Sequence, residues 1–323
     1  MRPGGLLVDR VFDVTIAGEL NLDLILYGLP DELSPEREIL AEDMILTLGS
    51  SSAIVAHNLA ALGSRVGFVS CIGQDQFGQI ALGRISDVGV DVSRVRHVAS
   101  PEKTGLTVIL QRNGWRNILT YGGTIFSLGP EDLDLDYLSA ARHFHLSSFF
   151  LQRGLRRCLP RLLEDLKNRG LTVSLDPNDD PEDKWEELEA VFPFVDVLLP
   201  NVREAKRIAR TDELPVAVSR LAERVPLVVV KMGAEGAMAR RGKEQIFSSP
   251  VSVDCVDPVG AGDSFDAGFL SEFLQGKDLQ ACLAAGNVAG AFSTTRAGGT
   301  EAFRDRNAME SFFSNHGGSK QGR

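Results

Sequence analysis

A run of small residues followed by a carboxylate lies at residues 260–263, directly before a segment with the apolar periodicity of a helix. Gly260, Ala261 and Gly262 have little or no side chain, so their backbone N–H groups can approach a phosphate at the positive end of that helix. Asp263 would repel the phosphate unless it served a purpose, such as taking the proton of an attacking hydroxyl. The segment therefore predicts a phosphoryl-transfer site with Asp263 as base. An Asp that only caps a helix after a glycine turn is the alternative.

Two further groups of polar residues follow apolar runs that are typical of strands. Asn201 and Glu204 lie one helical turn apart, and oxygen groups placed in this way can hold a hydrated Mg²⁺ beside phosphates. The same pair is also a variant of the capping box, which needs no ligand. Lys231 ends the next run, and Gly233 and Gly236 follow it. These glycines suit a tight turn or the close approach of a flat base.

Another polar group follows the first apolar run of the chain. Asn21 and Asp23 lie within residues 18–23, and a carboxylate can accept hydrogen bonds from two vicinal hydroxyls at once. Gly49 and Ser50 precede a helical segment and offer backbone N–H groups and a hydroxyl at its start. These residues predict a site for an acceptor molecule. A turn Asp and a helix N-cap without a ligand are the alternative.

The elements that must position these residues alternate between strands and helices. Short apolar, β-branched runs recur between amphipathic stretches such as residues 151–168 and 202–209, which predicts a mostly parallel sheet covered by helices on both faces. Ligands of such sheets bind beyond the carboxyl ends of the strands, where the polar residues lie. The apolar runs are residues 14–17, 66–69, 144–146, 171–175, 195–199 and 227–231.

Two segments depart from this alternation because they predict strands without a crossover helix. They are residues 24–46 and residues 104–121, the latter with a turn at Asn113-Gly114. Together they predict a small β-lid, which would exclude water from a reactive phosphate. A pair of unrelated surface hairpins is the alternative.

The chain of 323 residues is long enough for two smaller domains or for one large α/β domain, either with a substantial core. We expect this domain to cover residues 1–313, with lid segments near 22–48 and 103–122. The Gly-rich, polar residues 314–323 predict a disordered tail.

Charge and cysteine usage restrict the class of protein further. A formal net charge of −10 argues against a nucleic-acid-binding surface and against attachment to an anionic membrane. No apolar stretch has the length of about 18 residues that predicts a membrane span. The 4 cysteines are far apart and form no Cys-x-x-Cys pair, which favours reduced thiols over disulfides or a zinc site. We therefore expect a cytoplasmic protein whose partner is a small molecule, not a nucleic acid or a membrane.

Taken together and in this order, the motifs resemble those of the ribokinase-like, PfkB-type carbohydrate kinases over nearly the whole chain. Each motif follows a predicted strand, and the chance assembly of all of them is improbable. The matching segments are Gly-x-x-Asn-x-Asp at residues 18–23, Gly-x-Asp-x-x-Gly at 73–78, Asn-x-x-Glu at 201–204, Lys-x-Gly-x-x-Gly at 231–236 and Asp-x-x-Gly-Ala-Gly-Asp at 257–263.

The resemblance implies a three-layer α/β fold with a mostly parallel central sheet and a β-lid. It implies transfer of the γ-phosphoryl group of ATP to a hydroxyl of a sugar or nucleoside, and a homodimer joined through the lids. By position, the resemblance implies Asp263 as catalytic base, with the amides of Gly260, Ala261 and Gly262 as anion hole. It places Asn201 and Glu204 at phosphate and Mg²⁺, with Glu204 acting through water, Lys231, Gly233 and Gly236 along the nucleotide, and Asn287 near the nucleotide base. It places Asn21, Asp23, Gly49 and Ser50 at the acceptor, and Asp257 with the carbonyl of Val259 at a monovalent cation such as K⁺.

The acceptor is expected to be a small neutral sugar, because the chain departs from the family pattern around it. Ser50 and Ile54 stand where a Gly and an Asn are common in the family. Ser52 and Ala53 replace the Lys-Gly pair of ribokinases and of kinases acting on phosphosugars, so a cation for a substrate phosphate is missing there. Acidic residues follow the Asp-Pro-Asn segment at 176–178, and they would repel the carboxylate of a sugar acid.

Other functions remain alternatives at this stage. Arg112 and Arg116 in the expected lid keep a sugar-acid kinase open, and an adenosine-like nucleoside kinase is the nearest other enzyme. Outside enzymes, Ser50 and Ile54 suggest a ligand sensor that keeps the fold and has lost catalysis. The intact Asp263 argues against a sensor, which needs no base.

Overall fold

The structure is a computed structural model that describes residues 10–112 and 115–317. Its strands are β1 Val14–Ala17, β2 Leu22–Tyr27, β3 Asp43–Leu48, β4 Val66–Gly73, β5 Asp91–Val98, β6 Leu106–Arg112, β7 Trp115–Tyr121, β8 His143–Ser147, β9 Thr172–Asp176, β10 Val197–Leu198, β11 Leu227–Lys231, β12 Ala237–Arg241 and β13 Glu244–Ser248. Its α-helices are α1 Ser51–Ala61, α2 Gln76–Asp87, α3 Leu135–Ser139, α4 Leu159–Asn168, α5 Val202–Ala209, α6 Leu214–Ala222, α7 Ala261–Leu274, α8 Leu279–Ser293 and α9 Arg306–His316.

A nine-stranded sheet in the order β13-β12-β11-β10-β9-β8-β1-β4-β5 forms the centre of the described chain. Neighbouring strands from β11 to β5 are parallel, whereas β12 and β13 add an antiparallel edge. The sheet is buried on both faces, because Leu227 and Val229 of β11 belong to one apolar cluster while Val228 and Val230 belong to the other. The predicted, mostly parallel sheet is confirmed.

A second sheet has four strands in the order β3-β2-β6-β7. Strands β2 and β6 are parallel, and the β2–β3 and β6–β7 pairs are antiparallel. These strands fall in the segments 22–48 and 103–122 that we expect to form a lid. The turn predicted at Asn113-Gly114 lies outside the described residues.

Two boundaries differ from those that the sequence suggests. The amphipathic stretch 151–168 is helical as α4 only from Leu159, where Pro160 occupies the first turn. Helix α9 continues to His316, which corrects the expected start of a tail at residue 314. Residues 1–9 of the expected domain and residues 318–323 of the expected tail lie outside the described residues. Among the described helices, none is long and apolar enough to cross a membrane.

Candidate active site

Two cavities meet at Asp263, at the carboxyl ends of the parallel strands. The larger cavity has a volume of about 700 Å³ and the smaller about 230 Å³. Asp263, Gly260 and Arg116 line both of them. Because the larger space suits a nucleotide and the smaller one a compact second molecule, Asp263 lies where two substrates would meet.

The environment of Asp263 suits a general base. The residue lies in the first turn of α7 and is only 8% exposed. Burial is the main cause that raises the pKa of its carboxyl to about 6, and the negative charge of Asp176 acts in the same direction while Lys231 opposes it. A carboxylate with this pKa is ionised at neutral pH and still binds a proton readily.

The backbone before Asp263 is the segment that we expect to bind the transferred phosphoryl group as an anion hole. Gly260 is the N-cap of α7 with φ of 73°, and a Cβ atom on it would lie 2.5 Å from Cα of Gly299. The first N–H groups of a helix lack acceptors within the helix. Of the three predicted amides, that of Ala261 donates to the carbonyl of Pro258 at 3.2 Å. The N–H groups of Gly260 and Gly262 are therefore the better candidates for phosphate contacts.

Asn201 and Glu204 form a capping box at the start of α5 and also line the larger cavity. The Glu204 N–H donates to Oδ1 of Asn201 at 3.0 Å, and the Asn201 N–H donates to Oε2 of Glu204 at 2.9 Å. Burial, followed by repulsion from Asp176, raises the pKa of Glu204 to about 7. The box thus orients a carboxylate toward the cavity, so the two explanations of this pair are compatible.

The side-chain oxygens of Asn201 and Glu204 fit a Mg²⁺ ion that is held through water. Among residues 10–112 and 115–317, no group of three or more His, Cys, Asp and Glu side chains is placed to hold a metal ion. Mg²⁺ beside phosphates commonly keeps several waters and needs only one or two protein oxygens. Glu204, which is buried at the cavity wall, can supply such an oxygen.

The remaining residues that we expect to contact the nucleotide also line the larger cavity, namely Lys231, Gly233, Gly236 and Asn287. Gly236 has φ of 91°, and a Cβ atom there would lie 2.2 Å from the carbonyl oxygen of Ser248. The Asn287 side chain donates to the carbonyls of Ser248 and Ser249 at 3.1 and 2.9 Å. Asn287 therefore holds the loop after β13 at the cavity wall.

Asn21, Asp23 and Ser50 line the smaller cavity. Burial is the main cause that raises the pKa of Asp23 to about 7, and a hydrogen bond from Thr107 opposes the change. Gly49 does not line the cavity, but a Cβ atom on it would lie 2.2 Å from Oδ1 of Asp23. Gly49 therefore acts by leaving room for the Asp23 carboxylate.

The sequence-based interpretation missed several polar residues of this site. Glu19 is buried, lines the smaller cavity and accepts a hydrogen bond from Oγ of Ser52 at 2.9 Å. Asn178 lines the larger cavity and donates to Oγ of Ser51 at 2.9 Å. The hydrogen bond of Ser51 to Asp263 lowers the pKa of that carboxyl. Glu19 and Asn178 closely follow β1 and β9, so the strand-end rule was the signal that could have identified them.

The two arginines of the four-stranded sheet have different surroundings. Nη1 of Arg112 donates to the carbonyl of Asp31 at 2.7 Å, and the residue is buried. Arg116 is exposed and lines both cavities. Only Arg116 of this pair therefore lies at the site.

The Asp257 carboxylate, expected beside the Val259 carbonyl at a monovalent cation, fits such an ion poorly. Oδ1 of Asp257 accepts a hydrogen bond from the Val259 N–H at 3.0 Å. Oδ2 accepts from the Gly298 N–H at 3.0 Å and from the Tyr27 hydroxyl at 2.9 Å. These donors already occupy most of the lone pairs of the carboxylate. Asp257 acts here as a structural acceptor, and no step of the mechanism below depends on K⁺.

Comparisons with known proteins identify the family of the chain. The profile of the pfkB family carbohydrate kinase matches residues 12–306. The ATP-dependent ribose-1-phosphate kinase of Halopiger xanaduensis is 31% identical, over 90% of this chain and 94% of its own. The 2-dehydro-3-deoxygluconokinase of Bacillus subtilis is 29% identical, over 83% of this chain and 86% of its own.

A solved structure has the same fold. It is a ribokinase-type protein of E. coli in complex with ATP and Mg²⁺, with a TM-score of 0.83 and 24% identity, and the match covers 95% of this chain and all of that one. The predicted ribokinase-like fold is confirmed. Since the family profile covers most of the sequence, this chain belongs to the pfkB family of carbohydrate kinases.

Proposed function

We propose that the chain transfers the γ-phosphoryl group of ATP to a hydroxyl of a small neutral sugar, with Asp263 as the catalytic base. The observation that carries this proposal is that Asp263 and Gly260 line both the larger and the smaller cavity. A group in the larger cavity and a hydroxyl in the smaller one would meet at a carboxylate beside a helix N-terminus.

The chemistry assigns one task to each part of the site. The Asp263 carboxylate takes the proton of the acceptor hydroxyl as its oxygen attacks the γ-phosphorus, the bond to the bridging oxygen breaks, and ADP leaves with that electron pair. The amides of Gly260 and Gly262 bind the oxygens of the transferred group. When bound, Mg²⁺ neutralises charge on the phosphates, and Glu204 with Asn201 would hold it through water. Arg116 faces both substrates and can add a positive charge between them.

The carboxylates of the smaller cavity support a neutral acceptor. Glu19, Asp23 and Asp263 line it, and their oxygens can accept hydrogen bonds from several sugar hydroxyls. The Asp263 carboxylate, which is ionised at neutral pH, would repel an acceptor that carries a phosphate or a carboxylate in such a poorly solvated cavity.

A sugar acid is the second candidate. Arg116 lines the smaller cavity and can form a bidentate pair with a carboxylate. The Bacillus subtilis relative is named for a gluconate derivative, which is a sugar acid. A nucleoside acceptor, by contrast, has no specific residue of the described site in its favour.

The same proposal includes the organisation of the protein. It takes one kinase domain that includes helix α9 to His316, the four-stranded sheet as its lid and the cytoplasm as its location, where the free cysteines would stay reduced. Met44, Ile118, Leu119 and Tyr121 expose apolar surface on the four-stranded sheet, which supports a homodimer that pairs two lids. Sedimentation of the wild-type protein and of an Ile118→Glu variant tests the dimer.

The decisive experiment is ADP release from ATP and Mg²⁺ across neutral sugars, sugar acids, phosphosugars and nucleosides, with Asp263→Ala in parallel. We expect turnover with a neutral sugar that the variant lacks, while ADP binding of the variant survives, because a base acts on the transition state. Silence across the panel, together with a ligand that raises the melting temperature, would instead favour a sensor.

A further inference from the structure

Asp266 lies one helical turn after Asp263 on α7 and is fully buried, yet the mechanism above does not use it. Its Oδ2 atom is 3.1 Å from Nζ of Lys231, and its Oδ1 atom has no hydrogen-bond partner among the described residues. A buried polar atom without a partner costs free energy. An ionised Asp266 would therefore be costly, whereas a protonated Asp266 can donate a hydrogen bond of its own.

Lys231 connects Asp266 to the site. Its Nζ atom also lies 2.7 Å from Oδ2 of Asp176. The three side chains come from the ends of β11 and β9 and from α7, so contacts from separate elements fix the ammonium group. Lys231 and Asp176 line the larger cavity, where the nucleotide is expected.

The ammonium group lies beside the anion hole. A Cβ atom built on Gly262 would lie 3.7 Å from Nζ of Lys231 and 3.9 Å from its Cε atom. A phosphoryl oxygen bound at the Gly262 amide would thus lie in the neighbourhood of this positive charge. A fixed cation at this point stabilises the charge of the group in transfer.

The carboxyl groups of Asp176 and Asp266, which both contact Lys231, differ in the direction of their pKa shifts. Two like charges that share one cation in a dry site cannot both ionise easily. Burial raises the pKa of Asp266 well above its usual range, whereas Lys231 and a hydrogen bond from Asp266 lower that of Asp176 despite its burial. Because no described residue donates to its Oδ1 atom, that atom can carry the proton. Asp266 can then accept from Lys231 through Oδ2 and donate to Asp176 without cancelling the positive charge.

We propose, resting on the proposed function, that Asp266 is a positioning residue that holds the Lys231 ammonium group at the anion hole through hydrogen bonds, without adding charge of its own. Asparagine can replace such a group, because its carbonyl accepts from Lys231 and its amide donates to Asp176. Alanine cannot, and its smaller side chain leaves Lys231 with Asp176 alone.

The test compares Asp266→Asn and Asp266→Ala in steady-state kinetics. We expect Asp266→Ala to lower kcat at least ~10-fold with KM for ATP within about threefold, and Asp266→Asn to retain kcat within about threefold. Asp132→Asn is the matched control, since it removes a largely buried carboxylate from an ion pair with Arg96 away from both cavities. Equal loss in the Asn and Ala variants, or wild-type kcat in Asp266→Ala, would overturn the proposal.

Binding measurements keep the test independent of turnover and of the acceptor. Wild-type protein and Asp266→Asn should bind ADP with aluminium fluoride, a mimic of the transferred group, more tightly than ADP alone, and Asp266→Ala should lose that preference. If Asp266→Ala does not fold, Lys231→Met replaces it and should lose the same preference. The absence of any preference in wild-type protein overturns the inference. A preference without turnover on any acceptor contradicts the proposed function alone.

Discussion

The Tyr27 hydroxyl donates a hydrogen bond to Oδ2 of Asp257 at 2.9 Å and so links the four-stranded sheet to the loop before the anion hole. Tyr27 ends β2, and Asp257 lies shortly before Gly260 in the chain. The carboxylate also accepts from the amides of Val259 and Gly298 at 3.0 Å each. The position of the four-stranded sheet and the geometry of the loop before α7 are therefore mechanically connected.

The first prediction concerns K⁺. Because three internal donors occupy the Asp257 carboxylate, activity in a buffer with a large organic cation should equal activity with K⁺ within about twofold. Tyr27→Phe removes one donor and should raise KM for the acceptor by about three- to tenfold, as expected for the loss of one hydrogen bond with a net contribution of about 0.5–1.5 kcal/mol. ADP release with each cation measures both effects. A strong K⁺ requirement of the wild-type enzyme would show that Asp257 serves a cation after all.

The second prediction concerns the pH dependence of Asp263. With a pKa of about 6, raised mainly by burial, the carboxylate loses its proton as the pH rises through that value. Only the ionised form can act as base, so kcat/KM should fall about tenfold per pH unit below 6 and level off above it. Asp263→Asn should cost ~10²–10⁴-fold in kcat at pH 8. A profile without an acidic limb near pH 6 would contradict this role.

The raised pKa of Asp263 also makes the stability of the folded protein depend on pH. The folded pKa of about 6 exceeds the ordinary value of 3.8, so folding favours the protonated form. The associated stability is fully present below pH 3.8 and is lost as the pH rises through 6, an effect of about 3 kcal/mol. Asp263→Asn should therefore unfold at a higher temperature than wild type at pH 8 and gain little at pH 4. Equal gains in unfolding temperature at both pH values would show that the ionisation of Asp263 is not the cause.

The sequence predicts the positions of site residues better than their interactions. Asn201 and Lys231 could be predicted because each comes at the end of a buried strand, where parallel sheets bind ligands. Arg116 could not be separated from Arg112 without the structure, because both lie on the same pair of strands and only their surroundings distinguish them. Asp266 carried a weak signal, its spacing of three from Asp263 on one helix, but the Lys231 contact depends on tertiary packing.

The third prediction is that alanine substitutions at Gly260 and Gly262, two glycines of the expected anion hole, have different effects on stability. Gly260→Ala would force a Cβ atom to within 2.5 Å of Gly299 in a conformation with φ of 73°, so we expect a large loss of stability, by about 1–3 kcal/mol or more. At Gly262 the nearest atom to an added Cβ is Nζ of Lys231 at 3.7 Å, which is an ordinary contact. Gly262→Ala should therefore unfold within about 1 kcal/mol of wild type. Its methyl group would nonetheless occupy the space of a phosphoryl oxygen.

We expect Gly262→Ala to lower kcat by ~10²-fold or more, because it removes the close approach of one anion-hole amide. Thermal unfolding and single-turnover phosphoryl transfer distinguish the two variants. Gly290→Ala on α8 is a useful comparison, since its added Cβ would contact the carbonyl of Ala261 at 3.1 Å. Unchanged turnover in Gly262→Ala would remove this amide from the mechanism.

The last prediction uses Arg116 to decide between a neutral and an acidic acceptor. Arg116 lines both cavities. Burial raises the pKa of Asp23, and the positive charge of Arg116 opposes this rise. If the acceptor is neutral, Arg116 acts mainly on the transferred phosphoryl group, and Arg116→Gln should lower kcat by ~10-fold or more with little change in KM for the acceptor. If the acceptor is a sugar acid, the guanidinium binds its carboxylate, and the same variant should raise that KM by a similar factor.

Arg116→Lys sharpens the distinction, because lysine keeps the charge but cannot form the bidentate pair. Retention of KM in both variants therefore favours the neutral sugar, and a rise in both indicates an acid.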